Sequence, residues 1–504
     1  MTVAALAAEA PLLIPAPRRL SRVALPSILA LALLLRLVAL AFPSVHHPDE
    51  IFQYLEPAHR LVFGQSVVTW EWRYGMRSWF IPLPIAALMK VGAWIAPETS
   101  LYLLLPKLAV TILSLVTVVT GWRLGERLSP LHALIGGLVG AIWWEFVYFA
   151  PHILSEAISV ALLLPAALLL TDRQGWTPRR LATAGALMAL AGVARFQHLP
   201  AIAVLALCAC GSRWRECWLP LLLGGIAALV PTALCDWAMG QAPFSWLVTN
   251  VRLNFVENRS ARYGVSSPLE YLRELMVYWQ LWIAPILVFA WLGARRYPML
   301  GWTALANLAF HMAIAHKEYR FILLSSTLLI LLAALGSCKL IDWVRRARGA
   351  DGARRGVVFL HIGWLLASAS LAGAAASRGD WTRYGAELQF YGRLRTDPSL
   401  CGLAIFRQKL TYSGGYANLH RNVPMQYFWG PAPLLIRPLV ELGPTYNTVI
   451  IAQALAHHLP SNFQPLSCDG DREDRVCLYR RPGSCVADPA SPYEINAVLQ
   501  RLDR

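Results

Sequence analysis

The feature that most constrains this chain is a series of apolar runs, each near the length of a bilayer crossing. Val23 to Phe42 is the first, and further runs cover roughly 101–122, 131–149, 153–171, 180–197, 199–211, 217–236, 273–293, 298–315, 319–338 and 356–376. An apolar helix of about 20 residues crosses the hydrocarbon core, and only helices or closed barrels satisfy their backbone polar groups there. The composition agrees, with 57% of the 504 residues hydrophobic and only 15% charged. These runs predict a polytopic α-helical membrane protein of about eleven transmembrane helices. Arg18, Arg19 and Arg22 precede the first run without a convincing cleavage site, so that run reads as a retained anchor.

Charge sets the expected topology. The segment Pro82 to Ala96 is short for a crossing. Counted as an interfacial or re-entrant helix, with a cytoplasmic N-terminus, it leaves Arg123–Arg127, Asp172–Arg180, Arg213–Arg215, Arg295–Arg296 and Lys339–Arg355 all on the inside. Every strongly basic loop then obeys the positive-inside rule, which accounts for the net charge of +16 without a nucleic-acid partner. The same count places His46–Glu50, His152–Glu156, Arg195–His198, His316–Arg320 and the 237–272 loop, with Asn254, on the outer side. Ionisable groups gathered at span ends on one side point to a shared polar site.

Two adjacent acids, Asp49 and Glu50, follow Pro48 at the start of a predicted helix that carries Asp49, Gln53, Glu56 and Arg60 on one face. It reads as an amphipathic helix on the membrane surface. A carboxylate at such a site can take a proton from an attacking hydroxyl, and cations can hold a departing phosphate. Asp49 and Glu50 are the candidate bases, and Arg195, His316, Lys317 and Arg320 the candidate phosphate ligands. Blander readings stand beside these. Arg195 also reads as a snorkelling side chain, the 316–320 turn as internally paired charges, and His152 with Glu156 as a pair one helical turn apart. No metal motif, nucleotide-phosphate loop or nucleophilic serine motif competes, and no cofactor is expected.

From about Arg378 the hydropathy falls. Leu403–Phe406, Thr448–Ile451 and Cys477–Arg480 read as short strands, and Tyr427 to Leu442 as loop or helix. Residues 378–504 are therefore expected to form a small α/β domain beyond a membrane domain of residues 1–377, with outer loops at 43–100 and 237–272. An odd number of spans puts that domain outside the cytoplasm. Four cysteines there (Cys401, Cys468, Cys477, Cys485) allow two disulfides, with Cys468–Cys477 flanking an acidic turn as the first candidate pair.

His47-Pro48-Asp49-Glu50, Thr69-Trp70-Glu71-Trp72-Arg73, Arg77-Ser78 and His316-Lys317-Glu318 with Arg320-Phe321 occur in an order that resembles glycosyltransferase family 22 of the GT-C superfamily. The family includes GPI mannosyltransferases and the lumenal α-mannosyltransferases of N-glycan assembly, and the likeness covers most of residues 20–340. It implies a GT-C fold, a polyprenyl-phosphate-mannose donor, a glycan or glycolipid acceptor and an extracytoplasmic site. It further implies Asp49 as the general base of an inverting transfer, and Glu50, Glu71, Arg73, His316 and Lys317 as binding residues. His47, His152, Glu156 and Asn254 join Glu71 and Arg73 as candidate sugar or acceptor ligands. Gly414-Gly415-Tyr416 and Leu419-His420-Arg421 resemble a segment of bacterial-type members, which with the Ala and Arg content favours a bacterial inner membrane over endoplasmic reticulum. His152-Ile153-Leu154-Ser155-Glu156 and Arg195-Phe196-Gln197 depart from the eukaryotic pattern, which bears on the acceptor more than on the reaction. The residues accommodate glucose, galactose or arabinose as the transferred sugar equally well. A lipid-linked sugar transporter is the reading from another class, but transporters show paired repeats and midplane polar sites that this chain lacks.

Overall fold

A computed structural model describes residues 18–469, 475–486, 488 and 490–503. The residues before Arg18, the side chains of Arg18, Arg19 and Arg22, and residues 470–474 of the acidic turn lie outside that description. The chain divides into two compact units. One comprises residues up to Ala41 with Lys107–Leu234 and Val251–Trp381. The other comprises Phe42–Pro106, Cys235–Asn250 and Thr382–Arg504.

The first unit is helical, as apolar segments in lipid require. Among the described residues five helices are long and apolar enough to cross a membrane: Val23–Ala41, Leu101–Glu126, Trp214–Ala238, Glu270–Ala294 and Tyr319–Ala372. Shorter apolar helices, including Pro130–Ile142, Ser155–Thr171 and Phe196–Cys210, add to them. Small residues let backbones meet: a Cβ on Gly136 would fall 2.3 Å from the Gly121 carbonyl oxygen, so Val116–Glu126 and Pro130–Ile142 pack backbone to backbone. The second of these helices stops at Trp143, whose ψ of 125° leaves the helical region, and resumes as Trp144–Tyr148. The interruption frees the carbonyls of Gly140 and Ala141. Arg36, fully buried within the first span, donates to both, at 2.9 and 3.1 Å, and to the hydroxyls of Ser114 and Thr117. A lone arginine is tolerable there because each donor finds an oxygen. A disulfide joins Cys210 and Cys217 across the turn between Leu199–Cys210 and Leu219–Ala238, a pairing absent from the sequence expectations.

The second unit holds a five-stranded sheet in the order β2-β1-β3-β5-β4, formed by β1 Leu403–Phe406, β2 Met425–Phe428, β3 Thr448–Ala452, β4 Gln464–Asp469 and β5 Val476–Arg480. β1 runs parallel to β2 and β3, and β5 pairs antiparallel with β3 and β4. The parallel core strands β1 and β3 are buried except for Ala452 at the end of β3, which is why they read as continuous apolar runs. β2 was hidden by its proline-flanked setting. β4 is a largely exposed edge strand containing Pro465, so it carries no hydrophobic pattern. The ambiguous stretch resolves into β2 and a helix, Ala432–Glu441. Pro82–Ile95 is a fourteen-residue helix of this unit.

Cys468–Cys477 and Cys401–Cys485 are both bonded. Peptide mapping of the unreduced protein should recover both cross-links. Replacing Cys401 and Cys485 together with Ser should lower the stability of the sheet by about 2–4 kcal/mol, read from denaturant unfolding under non-reducing conditions.

Candidate active site

Two polar clusters carry the residues singled out in the sequence, one in each unit.

In the second unit Asp49 occupies the N-cap position without a side-chain capping bond, and the backbone then opens into a π-turn over Glu50–Leu55 before the α-helix Glu56–Phe63. Such turns re-aim side chains and recur at functional sites. The expectation of an amphipathic surface helix fails. Glu50 to His59 are buried without exception, because Ile51 and Phe52 pack with Tyr391, Leu419 and Met425 of the C-terminal region. The polar face is filled by partners from the same unit. Glu56 accepts from the backbone N–H of Ala417 at 2.6 Å and from that of Val67. Burial pushes its carboxyl up to about 8, against the pull of those N–H groups. His59 Nε2 lies 3.1 Å from His420 Nδ1, and Tyr102 stacks on His420 at 4.0 Å between centroids and donates to the Ala417 carbonyl. The Gly414–Arg421 segment, whose role the sequence left open, thus clasps the helix that carries Asp49.

The neighbouring acids differ in environment. Glu50 is 1% exposed, and its Oε1 accepts from the backbone N–H groups of His46 (2.6 Å) and His47 (3.4 Å). It caps the turn. The Asp49 side chain keeps 18% of its surface, with His47 Nδ1 3.3 Å from its Oδ1. Glu71 is the third. Burial pushes its carboxyl up, the Asp49 charge adds to that, and Arg77 and a hydrogen bond from Gln53 oppose it. Around it, Gln53 Oε1, Thr69 Oγ1 and Trp72 Nε1 are buried with no protein hydrogen-bond partner among the described residues. Unmatched polar atoms of this kind are costly unless something else meets them. Arg73, expected among the ligand-binding residues, is instead committed to Asp503 (Nε to Oδ2, 2.7 Å) and to the Val68 carbonyl, and so ties this loop to the C-terminal helix Ile495–Leu502. Asp236 accepts from Ser78, the Trp79 backbone and Trp246 at 3.0–3.1 Å, which fixes the 77–80 segment.

In the first unit all four expected phosphate ligands fall in one cluster. Glu156, in the first turn of Ser155–Thr171 and fully buried, lies 3.2 Å from Arg195 Nη1 and 3.1 Å from Arg320 Nη1 through one carboxylate oxygen. Its other oxygen accepts from Ser155 at 3.1 Å. It is therefore a counter-ion, and not a partner paired with His152 alone. Phe321 presents its ring to both guanidiniums, at 4.6 and 5.0 Å. Glu318 bridges Arg320 Nε (2.6 Å) and His316 Nε2 (2.8 Å), and its carboxylate holds the His316 pKa above the usual imidazole range. Lys317 donates to the Met312 carbonyl at 3.1 Å. Arg195 and Arg320 face Glu156 and Glu318, and Lys317 lies within the charge fields of Glu270 and Glu274. His152 lies in the extended link before the helix, its ring 4.8 Å from that of Tyr148, and Asn254 sits on the π-turn Arg252–Val256.

The 316–320 turn holds the internal charge pairs read from the sequence, with half-buried Glu318 between His316 and Arg320. A fully buried acid of this unit escaped the sequence reading. Glu145, alone in an apolar run, accepts from Trp143 (3.2 Å), Trp279 (2.9 Å) and the Tyr319 hydroxyl. An acid inside a span was itself the missed signal. Among the described residues no group of three or more His, Cys, Asp or Glu could hold a metal ion.

The architecture matches that of ArnT. The structure of ArnT from Cupriavidus metallidurans bound to undecaprenyl phosphate superposes on 92% of this chain and 99% of its own, with a TM-score of 0.63 at 14% identity; its apo form gives 0.58. This is an integral membrane protein of GT-C fold. More narrowly, the chain belongs to the Alg9-like mannosyltransferase family, whose model matches residues 27–379. It is 28% identical over 299 residues to GPI mannosyltransferase 3 of Yarrowia lipolytica, covering 56% of each chain. It is 24% identical over 311 residues to human GPI alpha-1,2-mannosyltransferase 3, covering 55% of this chain and 50% of the relative. The chain thus spans about half the length of the curated relatives it matches.

Removing the shared counter-ion should be costly. Glu156→Ala leaves two guanidiniums buried together and should destabilise the fold by about 3–5 kcal/mol, measured by thermal unfolding in detergent. Acid should loosen the clasp in the second unit. Burial lowers His59 to about 4 and lowers His420, whereas the unfolded imidazoles titrate near their ordinary 6.5. The unfolded chain therefore binds more protons in between, so this contribution is complete above about pH 6.5 and lost as pH falls towards 4. His59→Phe should flatten the pH dependence of unfolding over that window relative to the wild type.

Proposed function

We propose that this protein transfers a mannosyl residue from polyprenyl-phosphate-mannose to a hydroxyl of a glycan or glycolipid acceptor, with Asp49 as general base. The observation that carries this reading is the contrast among three neighbouring acids. Glu50 is spent on backbone N–H groups and Glu71 is pushed towards its protonated form, which leaves Asp49 as the partly exposed carboxylate. Acids whose environments differ this way divide base from hydrogen-bond donor roles.

In the reaction the acceptor oxygen bonds the anomeric carbon as the bond from that carbon to the phosphate oxygen breaks. The electron pair leaves with the lipid phosphate, and the hydroxyl proton goes to Asp49. Attack from the opposite face inverts a β-linked donor to an α-mannoside. Arg195, Arg320, Lys317 and His316 are the ligands we assign to the leaving phosphate, since charged donors can stabilise a departing anion. Gln53, Thr69 and Trp72 meet sugar or acceptor hydroxyls with their unmatched polar atoms, beside Glu71. The family and the named relatives support mannose, and the undecaprenyl phosphate in the ArnT structure supports a polyprenyl carrier. The two disulfides of the C-terminal region fit an extracytoplasmic placement of that region and of the site, in a bacterial inner membrane or endoplasmic reticulum. Another polyprenyl-linked hexose or pentose is the second reading, since the groups assigned to the sugar are generic hydroxyl partners.

Purified protein in detergent, given radiolabelled polyprenyl-phosphate-mannose and a panel of mannosyl acceptors, should form product. Folded Asp49→Asn should lose about 10²–10⁴-fold in rate, the scale of general-base catalysis. Undiminished transfer by that variant would remove Asp49 from the role. Transfer from glucosyl or arabinosyl carriers but not the mannosyl one would replace the sugar.

A further inference from the structure

A groove lies within the first unit, lined by none of the residues of the acidic and cationic clusters described above. Gly349, at φ +69°, breaks the long helix Lys339–Ala372 and folds its two legs against each other. A Cβ on Gly356 would sit 3.3 Å from Ile341 Cδ1 and 3.5 Å from Val344 Cγ1, so glycine permits the approach. Between these legs and the helix Ile283–Ala294 runs an open groove of about 660 Å³. Phe289, Phe359, Leu360 and Trp364 form its apolar walls. Gly363 also lines it, and a Cβ there would meet nothing within 4 Å, so at that point the groove is empty beside bare backbone. Arg348 and Arg355 stand at one end. Arg345, Arg346 and Arg354 flank them in sequence against one nearby acid, Asp351, and none of these six side chains forms an ion pair among the described residues. From Arg355 to Ala367 a helix rises about 18 Å at 1.5 Å per residue. That is close to the depth of one leaflet, half of a hydrocarbon core about 30 Å thick.

We propose that this groove binds one anionic glycerophospholipid, with an acyl chain along Phe289, Phe359 and Trp364 and the phosphate between Arg348 and Arg355. The charge at the mouth selects an anionic head group, the apolar walls require a hydrocarbon tail, and the single-leaflet length fits a phospholipid better than a longer polyprenyl chain. The site is independent of the transfer reaction, so its test does not rest on that reading.

The test is native mass spectrometry of the full-length protein with equimolar phosphatidylglycerol and phosphatidylcholine in the micelle. The wild type should retain phosphatidylglycerol at roughly ten-fold higher occupancy. Arg348→Ala with Arg355→Ala should bring it down to the phosphatidylcholine level, while the Arg→Lys pair, which keeps the charge, should preserve most of the preference. Gly363→Leu, which fills the groove without touching the cations, should reduce retention of both lipids several-fold. Equal retention of the two lipids by the wild type would overturn the proposal. So would a preference that survives the alanine pair, or full retention in Gly363→Leu, which would put the lipid on the basic surface and not in the groove.

Discussion

One carboxylate oxygen shared by two guanidiniums organises the charged end of the first unit. Glu156 is fully buried, and Arg195 and Arg320 are nearly so. An isolated ion in such surroundings costs several kcal/mol, so none of the three is tolerable without the others. They arrive from separate segments: Glu156 opens a helix, Arg195 ends one, and Arg320 lies on a 3₁₀ turn. Their mutual neutralisation therefore fixes where three chain ends meet, and Phe321 fills the space beneath both cations. Glu318 extends the network to His316, and Glu145 secures Tyr319 one residue before Arg320. What results is a set of cations held in place by buried acids and aromatic rings, a preorganised setting for an anion.

The second unit uses the opposite device. Its buried carboxylate, Glu56, is met by backbone N–H groups and not by cations, and the donors come from the Gly414–Arg421 segment and from Val67. Gly415 is required at that contact: its φ is +65°, and a Cβ would lie 2.3 Å from the Glu56 Oε1. A side chain there would displace the carboxylate and with it the helix that follows Asp49. The segment thus acts on the candidate base by holding its helix, through a contact 361 residues apart in sequence.

What the sequence disclosed follows from the range of each interaction. Membrane helices and the buried strands β1 and β3 are local patterns of apolar residues, and they read correctly. The Cys468–Cys477 pair spans nine residues and was also legible. Arg195 and the 316–320 turn, grouped in the sequence as candidate phosphate ligands, meet around Glu156. Partners chosen in three dimensions left little trace. Glu145 finds Trp279 and Tyr319 at separations of 134 and 174, and Arg73 finds Asp503 at 430. The π-turn after Asp49 likewise has no periodicity of its own, and it rotates the face that a helical wheel assigns.

The motif residues also show why position and role are separate questions. Asp49, Glu50, Glu71 and Arg73 all stand where the family pattern places them, yet their surroundings set them four different tasks. Arg73 is a strut to the C-terminal helix, and Glu50 caps a turn. Glu71 is the acid whose ionisation is opposed by burial and by its neighbour. Asp49 retains part of its surface, and its charge adds to the burial that raises the Glu71 carboxyl. The coupling works in both directions, since a carboxyl nearer its protonated form opposes its neighbour's charge less. Two acids can then stand in one short loop with different partners, Glu71 beside Arg77 and Gln53 and Asp49 beside His47.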